Sequence, residues 1–356
     1  MLKIFEAFSG AGAQRMALRN LNVDFKIVAT SDIDLEAILA YYYIHHFNKK
    51  IKSNKTFSEK LEYLRKIGLD IKKINEDKTN KIFQACIVSN NLGDIKKIKS
   101  SNIPKHDIFT YSFPCQDISS IGKREGLLKD SGTRSSLLWE CQKIIEEYKP
   151  KYLILENVKN LIQGKNKLVF NEWLTYLEKL GYSNFTKILD PQEYGIPHRR
   201  PRVFTVSKLG KARIDFFKSH SLKKKTILDI LDNTENSYEI YLPKIPLKKI
   251  FDENKIFFLD DRDWKMNGIM IDEVSSTQRA GRNGLKCAFS KNKKIYARFL
   301  TTLECCRLMG YLDTDYKKMK LGGLSDTTIK KICGNSIVVD ILESIFFNIY
   351  REENLI

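Results

Sequence analysis

LKIFEAFSGAGAQRMALRNL, residues 2–21, reads as a short apolar strand, a glycine turn at FSGAG, and a helix opening near Ala13. The next stretch, FKIVATSDIDLEAILAYYYIHHF (25–47), repeats the plan: a strand from Lys26 to Thr30, an acidic turn, a helix. Two strand-turn-helix units in succession point to a parallel sheet with crossover helices. Strands are expected again at QACIVSNN (84–91), DIFTYSF (107–113), KYLILENV (151–158), SNFTKILD (183–190) and RVFTVSKL (202–209). Helices are expected at SSLLWECQKIIEEY (135–148) and LVFNEWLTYLEKLG (168–181). Residues 1–206 thus form an α/β doubly wound domain with a mostly parallel sheet of about seven strands, whose carboxyl ends are the place for ligands. The lysine-rich stretch 49–81 interrupts the pattern and reads as a solvated helix and loop on the surface. From 207 to 296 the rhythm is lost, so a smaller irregular domain is expected there, with 297–356 returning to the first domain through a glycine turn and an apolar helix.

The chain has 356 residues, 42% of them hydrophobic, enough for a large core. No charged and apolar leader opens it, and no apolar run approaches the ~20 residues needed to span a bilayer. A cytoplasmic protein is expected. The seven cysteines are scattered without C-x-x-C pairs or regular spacing to histidine, which argues against a disulfide framework or a zinc site. At least five should be small core residues. A net charge of +18, from 61 Lys and Arg against 43 Asp and Glu, favours a polyanionic partner, although lysine is abundant throughout.

Within this frame several residues carry chemistry. Gly10 and Gly12 let the backbone approach a ligand, and Asp32, 20 residues after Gly12 at the end of the next strand, is placed for ribose hydroxyls. Arg15 stands where the dinucleotide fingerprint has its third glycine, so a pyrophosphate is not implied. Asp94 follows as another carboxylate at the same sheet edge, suited to an amino group or, more plainly, to a helix cap. Glu156 ends an apolar strand that does not need it, and HRRPR (198–202) groups three basic residues that ordinarily make a solvated turn. Cys115, in FPCQDISSIG (113–122), lies between proline and glutamine with little apolar sequence around it: a reactive thiol or a turn residue.

In order along the chain, FSGAG, SDID, GDI, FPCQ, SGTRSSLLWE, ENV, YGIPHRRPRVF, the R-x-L-x-x-x-E at 298–304 and GNSIVV (334–339) resemble the DNA (cytosine-5) methyltransferases of bacterial restriction-modification systems. The likeness covers roughly 2–206 and 298–346. It departs from the family at His198, which replaces a glutamine, at Asp32, which replaces a glutamate, and at Ile33, where tryptophan is frequent.

The resemblance implies a Rossmann-like, S-adenosylmethionine-dependent fold and a set of roles. Cys115 would be the nucleophile that adds to carbon 6 of cytosine, Glu156 the group at N3 and the exocyclic amine, and Arg202 its partner near the carbonyl at carbon 2. Arg200 would hold a phosphate or the closed loop. Phe8, Gly10, Gly12, Asp32, Ile33, Asp94, Ile95, Pro114, Leu137, Asn335 and Ser336 would line the cofactor. The target base would be flipped out of duplex DNA under a lid formed by the loop after Cys115, with Gln116, Ser119, Ile121 and Arg124 at the DNA. The segment 207–296 would be the target-recognition domain, with Thr277, Gln278, Arg279 and Arg282 as candidates for base or phosphate contact. A restriction endonuclease acting on the same site is a companion such enzymes can have, and a monomer is expected. The alternatives are a tRNA cytosine-5 methyltransferase of the same fold, a nucleotide-dependent oxidoreductase, which leaves FPCQ and ENV unexplained, and a non-catalytic DNA-binding protein, which leaves Cys115, Glu156 and Arg202 without purpose.

Overall fold

The computed structural model describes residues 1–356 except 73, 115–136, 221–223, 233–238, 241–255, 261–269, 279, 281–284 and 292–293. Cys115, Gln116, Ser119, Ile121, Arg124, Arg279 and Arg282 lie outside the described residues. The chain divides into two compact units: residues 1–189, 201–220 and 342–356 form one, 190–200 and 221–341 the other.

In the first unit, β1 (Leu2–Ala7), α1 (Ala13–Asn20), β2 (Phe25–Ser31) and α2 (Leu35–His46) follow the expected order. Helix α2 starts because the Asp34 carboxylate accepts the amides of Glu36 and Ala37, and its unbroken buried run from Ala37 to Ile44 makes it an interior helix. Then come α3 (Phe57–Lys66), α4 (Glu76–Ser89), β3 (Ile108–Tyr111), α5 (Leu138–Tyr148), β4 (Tyr152–Val158), α6 (Gly164–Lys179), β5 (Tyr182–Leu189) and β6 (Arg202–Leu209). The sheet order is β2-β1-β3-β4-β6-β5. Strands β2, β1, β3 and β4 are parallel, and β6 runs antiparallel to both β4 and β5. The core beside it holds Phe5, Phe109, Leu153, Leu155 and Trp173, all fully buried.

The sheet has six strands among the described residues where about seven are expected. The missing strand is QACIVSNN, which lies in α4. Its β-branched core misleads in isolation, but Ile82, Phe83, Cys86 and Ser89 are buried at helical spacing. Asn75 caps the start and Asn90 closes the end in a left-handed conformation. Strand pairing survives as one bridge, Thr30 to Asn91. In the lysine-rich stretch α3 buries only Leu64, as a solvated helix would, but Leu69, Ile71 and Thr79 are buried too and residues from Glu76 onward begin α4.

The second unit is less irregular than the sequence suggests. It contains α7 (Ile227–Ile230) and a sheet of β7 (Glu239–Ile240), β8 (Ile256–Asp260), β9 (Met270–Asp272), β10 (Leu285–Lys291) and β11 (Lys294–Phe299), in the order β7-β11-β10-β8-β9 with every described pairing antiparallel. Lysines hide the alternation: Lys286 is buried in β10 with its ammonium 4.8 Å from the ring of Phe299, its cross-strand partner. Helices α8 (Thr302–Arg307), α9 (Asp313–Leu321) and α10 (Asp326–Asn335) follow. The R-x-L-x-x-x-E stretch explains itself here. The Arg298 guanidinium donates to both Glu304 oxygens, at 2.7 and 2.6 Å, and Glu304 also closes the capping box of α8 with Thr301. Helix α11 (Val339–Glu352) ends the chain's regular structure, and from Leu342 onward it belongs to the first unit.

All six described cysteines are buried and free, as core residues. Burial pushes the Cys86 and Cys305 thiols up to about 12, which removes them as nucleophiles. No single helix among the described residues is long and apolar enough to cross a membrane.

Candidate active site

Four parallel strands bring Ala7, Ser31, Tyr111 and Val158 to one edge of the first unit's sheet. After β1 the chain turns sharply. Phe8 and Gly10 both have φ 54 and Gly12 has φ 80, and for Phe8 that backbone is uncommon. A Cβ at Gly10 would meet nothing within 4 Å, so this glycine opens onto free space. One at Gly12 would fall 2.5 Å from His45 and 2.6 Å from Tyr41, so that glycine serves the contact between α1 and α2.

Asp32 braces the turn: its Oδ2 accepts the Gly10 amide at 2.7 Å and its Oδ1 the Asp34 amide at 2.9 Å. Burial raises its pKa, opposed by these backbone donors. Beside it Ile33 is 54% exposed, an apolar side chain held out at the ligand edge of the sheet. Asp94 caps the turn Ile95–Lys97 by accepting the Lys96 amide at 3.0 Å, which confirms the plain reading without removing its other oxygen. Ile95 is buried in the core, with Phe8 and Leu137 partly buried against it. Pro114 follows Phe113 at the end of the β3 edge.

At the end of β4, Glu156 lies opposite Phe204 of β6, and strand alternation puts Arg202 on the same face. The Arg202 Nε and Glu156 Oε1 are 3.4 Å apart, with both side chains largely enclosed. The next residue is one that reading the sequence misses. Asn157 is buried, and its Nδ2 donates to the Phe113 carbonyl at 3.1 Å, so the ENV strand fastens the turn that leads through Pro114 to Cys115. The signal was a polar residue closing an apolar strand. Asn91 was missed too: its Oδ1 accepts the amides of Asp32 and Gly93, at 3.0 and 3.1 Å.

In the second unit, Arg200 is buried and donates to the carbonyls of Gln278, Gly334 and Ser336 at 2.6 to 3.0 Å. That is a backbone brace. His198 is fully buried, with Nδ1 3.1 Å from the Leu308 carbonyl and Nε2 3.1 Å from the Gln278 amide. A carbonyl only accepts and an amide only donates, so the ring is held as the neutral Nδ1-H tautomer. Thr277 donates its hydroxyl to the Arg199 carbonyl at 2.7 Å, and Gln278 is buried. Asn335 ends α10 exposed, and the Ser336 hydroxyl accepts from Tyr311 at 2.9 Å.

Chemically, the first unit offers an open glycine turn, two carboxylates and an exposed apolar side chain along one sheet edge. A carboxylate-guanidinium pair stands at the end of the adjoining strand. The model of the C-5 cytosine-specific DNA methylases matches residues 71–351. A type II methyltransferase of Lactococcus lactis subsp. cremoris, M2.ScrFI, is 40% identical over 99% of this chain and 100% of its own length. The orphan methyltransferase M.SssI of Spiroplasma monobiae is 30% identical over 97% and 96%. Among solved structures, the S. pombe Dnmt2 methyltransferase superposes with a TM-score of 0.65 at 19% identity, over 99% of this chain and 100% of that one.

Proposed function

Since the chain belongs to the C-5 cytosine-specific DNA methylases, we propose that it takes its methyl group from S-adenosylmethionine and delivers it to a cytosine flipped out of duplex DNA, with Cys115 as nucleophile. The observation that carries this reading is the pairing of Arg202 with Glu156, in the strand whose Asn157 fastens Phe113, two residues before Cys115.

The first unit fits the cofactor on its own geometry. The open space at Gly10 admits a ligand against the backbone, Asp32 keeps acceptor capacity for ribose hydroxyls, Asp94 for the adenine amino group, and the exposed Ile33 for the adenine face. Phe8, Gly12, Ile95, Pro114 and Leu137, with Asn335 and Ser336 of the second unit, are likewise assigned to the cofactor. When bound, the sulfonium supplies an electrophilic methyl group.

Cys115 acts as the thiolate. Its sulfur forms a bond to carbon 6 of cytosine, and the electron pair released from the 5,6 double bond makes carbon 5 nucleophilic. Glu156 shares a proton with N3, so negative charge does not accumulate on the ring, and Arg202 holds that carboxyl in place. After methylation the proton at N3 returns to Glu156, the carbon-5 proton passes to solvent water, its electron pair restores the 5,6 double bond, and the carbon 6–sulfur bond breaks to release the thiolate. Gln116, Ser119, Ile121, Arg124, Arg279 and Arg282 are assigned to DNA. Arg200 braces backbone. One chain suffices for one flipped base, so a monomer is proposed. Relatives described as type II and as orphan both match, and a companion endonuclease is not implied by the likeness.

The test is transfer of labelled methyl groups to mixed-sequence duplex DNA and to tRNA, with wild type and Cys115→Ser. Label at carbon 5 of cytosine in one DNA context, absent with the variant, is the expected result and also reads out the target sequence. Label in tRNA alone would overturn the substrate. The RNA reading has less support, because the family's description names DNA.

A further inference from the structure

The lysine-rich stretch that interrupts the sheet pattern reaches the proposed adenine site. We propose that the turn after α3, Ile67–Gly68, is a positioning element that sets where Asp94 stands, and so governs discrimination at the adenine amino group. The proposal rests on the reading of Asp94 given above. The Asp94 amide donates to the Ile67 carbonyl at 2.8 Å. Contact at this point is too close for side chains on either strip. A Cβ at Gly93 would lie 2.0 Å from the Ile67 oxygen, and one at Gly68 would lie 2.6 Å from the Cβ of Asp94. Both glycines have positive φ, 78 and 88 respectively.

The turn that carries Asp94 is held from its other side as well. Asn91, 2% exposed, joins it to the ribose carboxylate by accepting the Asp32 and Gly93 amides and donating to the Asp32 carbonyl at 3.2 Å. The Ser31 hydroxyl donates to the Gly93 carbonyl at 2.7 Å. What remains adjustable is the push from Gly68. That turn is itself seated: Leu64, Leu69 and Ile71 are buried, and Tyr63 meets the Phe83 ring of α4 edge-on at 5.4 Å. A side chain at Gly68 therefore has to displace Asp94, because the turn behind it is anchored.

The experiment compares equilibrium binding of S-adenosylhomocysteine and its inosine counterpart, in which an oxo group replaces the adenine amino group. The proteins are wild type, Gly68→Ala, Gly68→Asn and Gly181→Ala. Asparagine tolerates left-handed backbone, so Gly68→Asn gives the same crowding with less strain. Gly181 has φ 97 and a Cβ there would sit 3.6 Å from Leu209, so its variant carries the strain without crowding anything. Wild type should prefer the adenosine compound. Both Gly68 variants should lose that preference by roughly tenfold, with inosine binding and kcat at saturating donor within about twofold of wild type, while Gly181→Ala keeps the preference. Unchanged preference in the Gly68 variants, or equal loss of both compounds, overturns the proposal. A wild type that binds without distinguishing the two compounds overturns instead the assignment of Asp94.

Discussion

Glu6 is fully buried at the end of β1, and desolvation pushes its carboxyl up to about 7. Tyr41 donates to its Oε2 at 2.8 Å and Arg15 lies near enough to oppose the shift, while His45 and His46 on the same helix as Tyr41 are held neutral, His46 with its pKa pushed down to about 4. The folded state thus binds the Glu6 proton more tightly than the unfolded chain does. The associated stability is present below the ordinary carboxylate pKa of 4.5 and is lost as pH rises through about 7. Denaturation across about pH 4 to 8 should show wild type losing ~3 kcal/mol relative to Glu6→Gln, which keeps a neutral group there. A constant difference between the two proteins would refute the shift. For the chemistry, Glu156→Gln should slow methyl transfer by about 10² to 10⁴ with donor binding unchanged, read by single-turnover kinetics. Glu156 could be singled out from its place in the strand, and Arg202 from the motif around it. Asn157 left the same signal and was passed over, whereas Asn91 and Glu6 left none, because their partners Asp32 and Tyr41 are residues far along the chain that only the fold brings to them.

At the level of elements, the Asn157 side chain ties β4 to the turn after β3. Asn157→Ala leaves the Phe113 carbonyl without its donor, at a cost of ~1–3 kcal/mol, and should lower kcat by loosening the approach to Cys115 while donor affinity holds. Equal kcat in variant and wild type would remove Asn157 from catalysis. In the second unit the Arg298–Glu304 pair is 6% and 0% exposed. Arg298→Ala strands a buried carboxylate and should destabilise by roughly 3–5 kcal/mol in urea melts. This motif was legible in sequence as a family mark, and its meaning, a pair that fixes the start of α8, required the structure. The converse happened at α4. There a window of eight residues favoured a strand, whereas the cap at Asn75 and the buried spacing over fourteen residues made a helix.

For the molecule as a whole, a charge of +18 predicts DNA affinity that falls linearly on a log scale with salt, by about 10³ to 10⁵ between roughly 50 and 200 mM if 6–10 phosphates are neutralised. Fluorescence anisotropy with a labelled duplex measures the slope, and a flat response would deny the phosphate contacts. The first unit, moreover, is assembled from three separated stretches, the last being 342–356. Ile345, Phe346, Ile349 and Tyr350 are buried there, Tyr350 donates to the Asp24 carbonyl, and Asn348 donates to the carbonyls of Phe216 and Lys218. A nascent chain that has emerged only as far as Ile341 therefore holds every strand of the sheet yet lacks the helix that covers it. Until residues 342–356 are made, the apolar surface that Ile345, Phe346, Ile349 and Tyr350 cover is therefore expected to stay exposed, and with it the risk of misfolding.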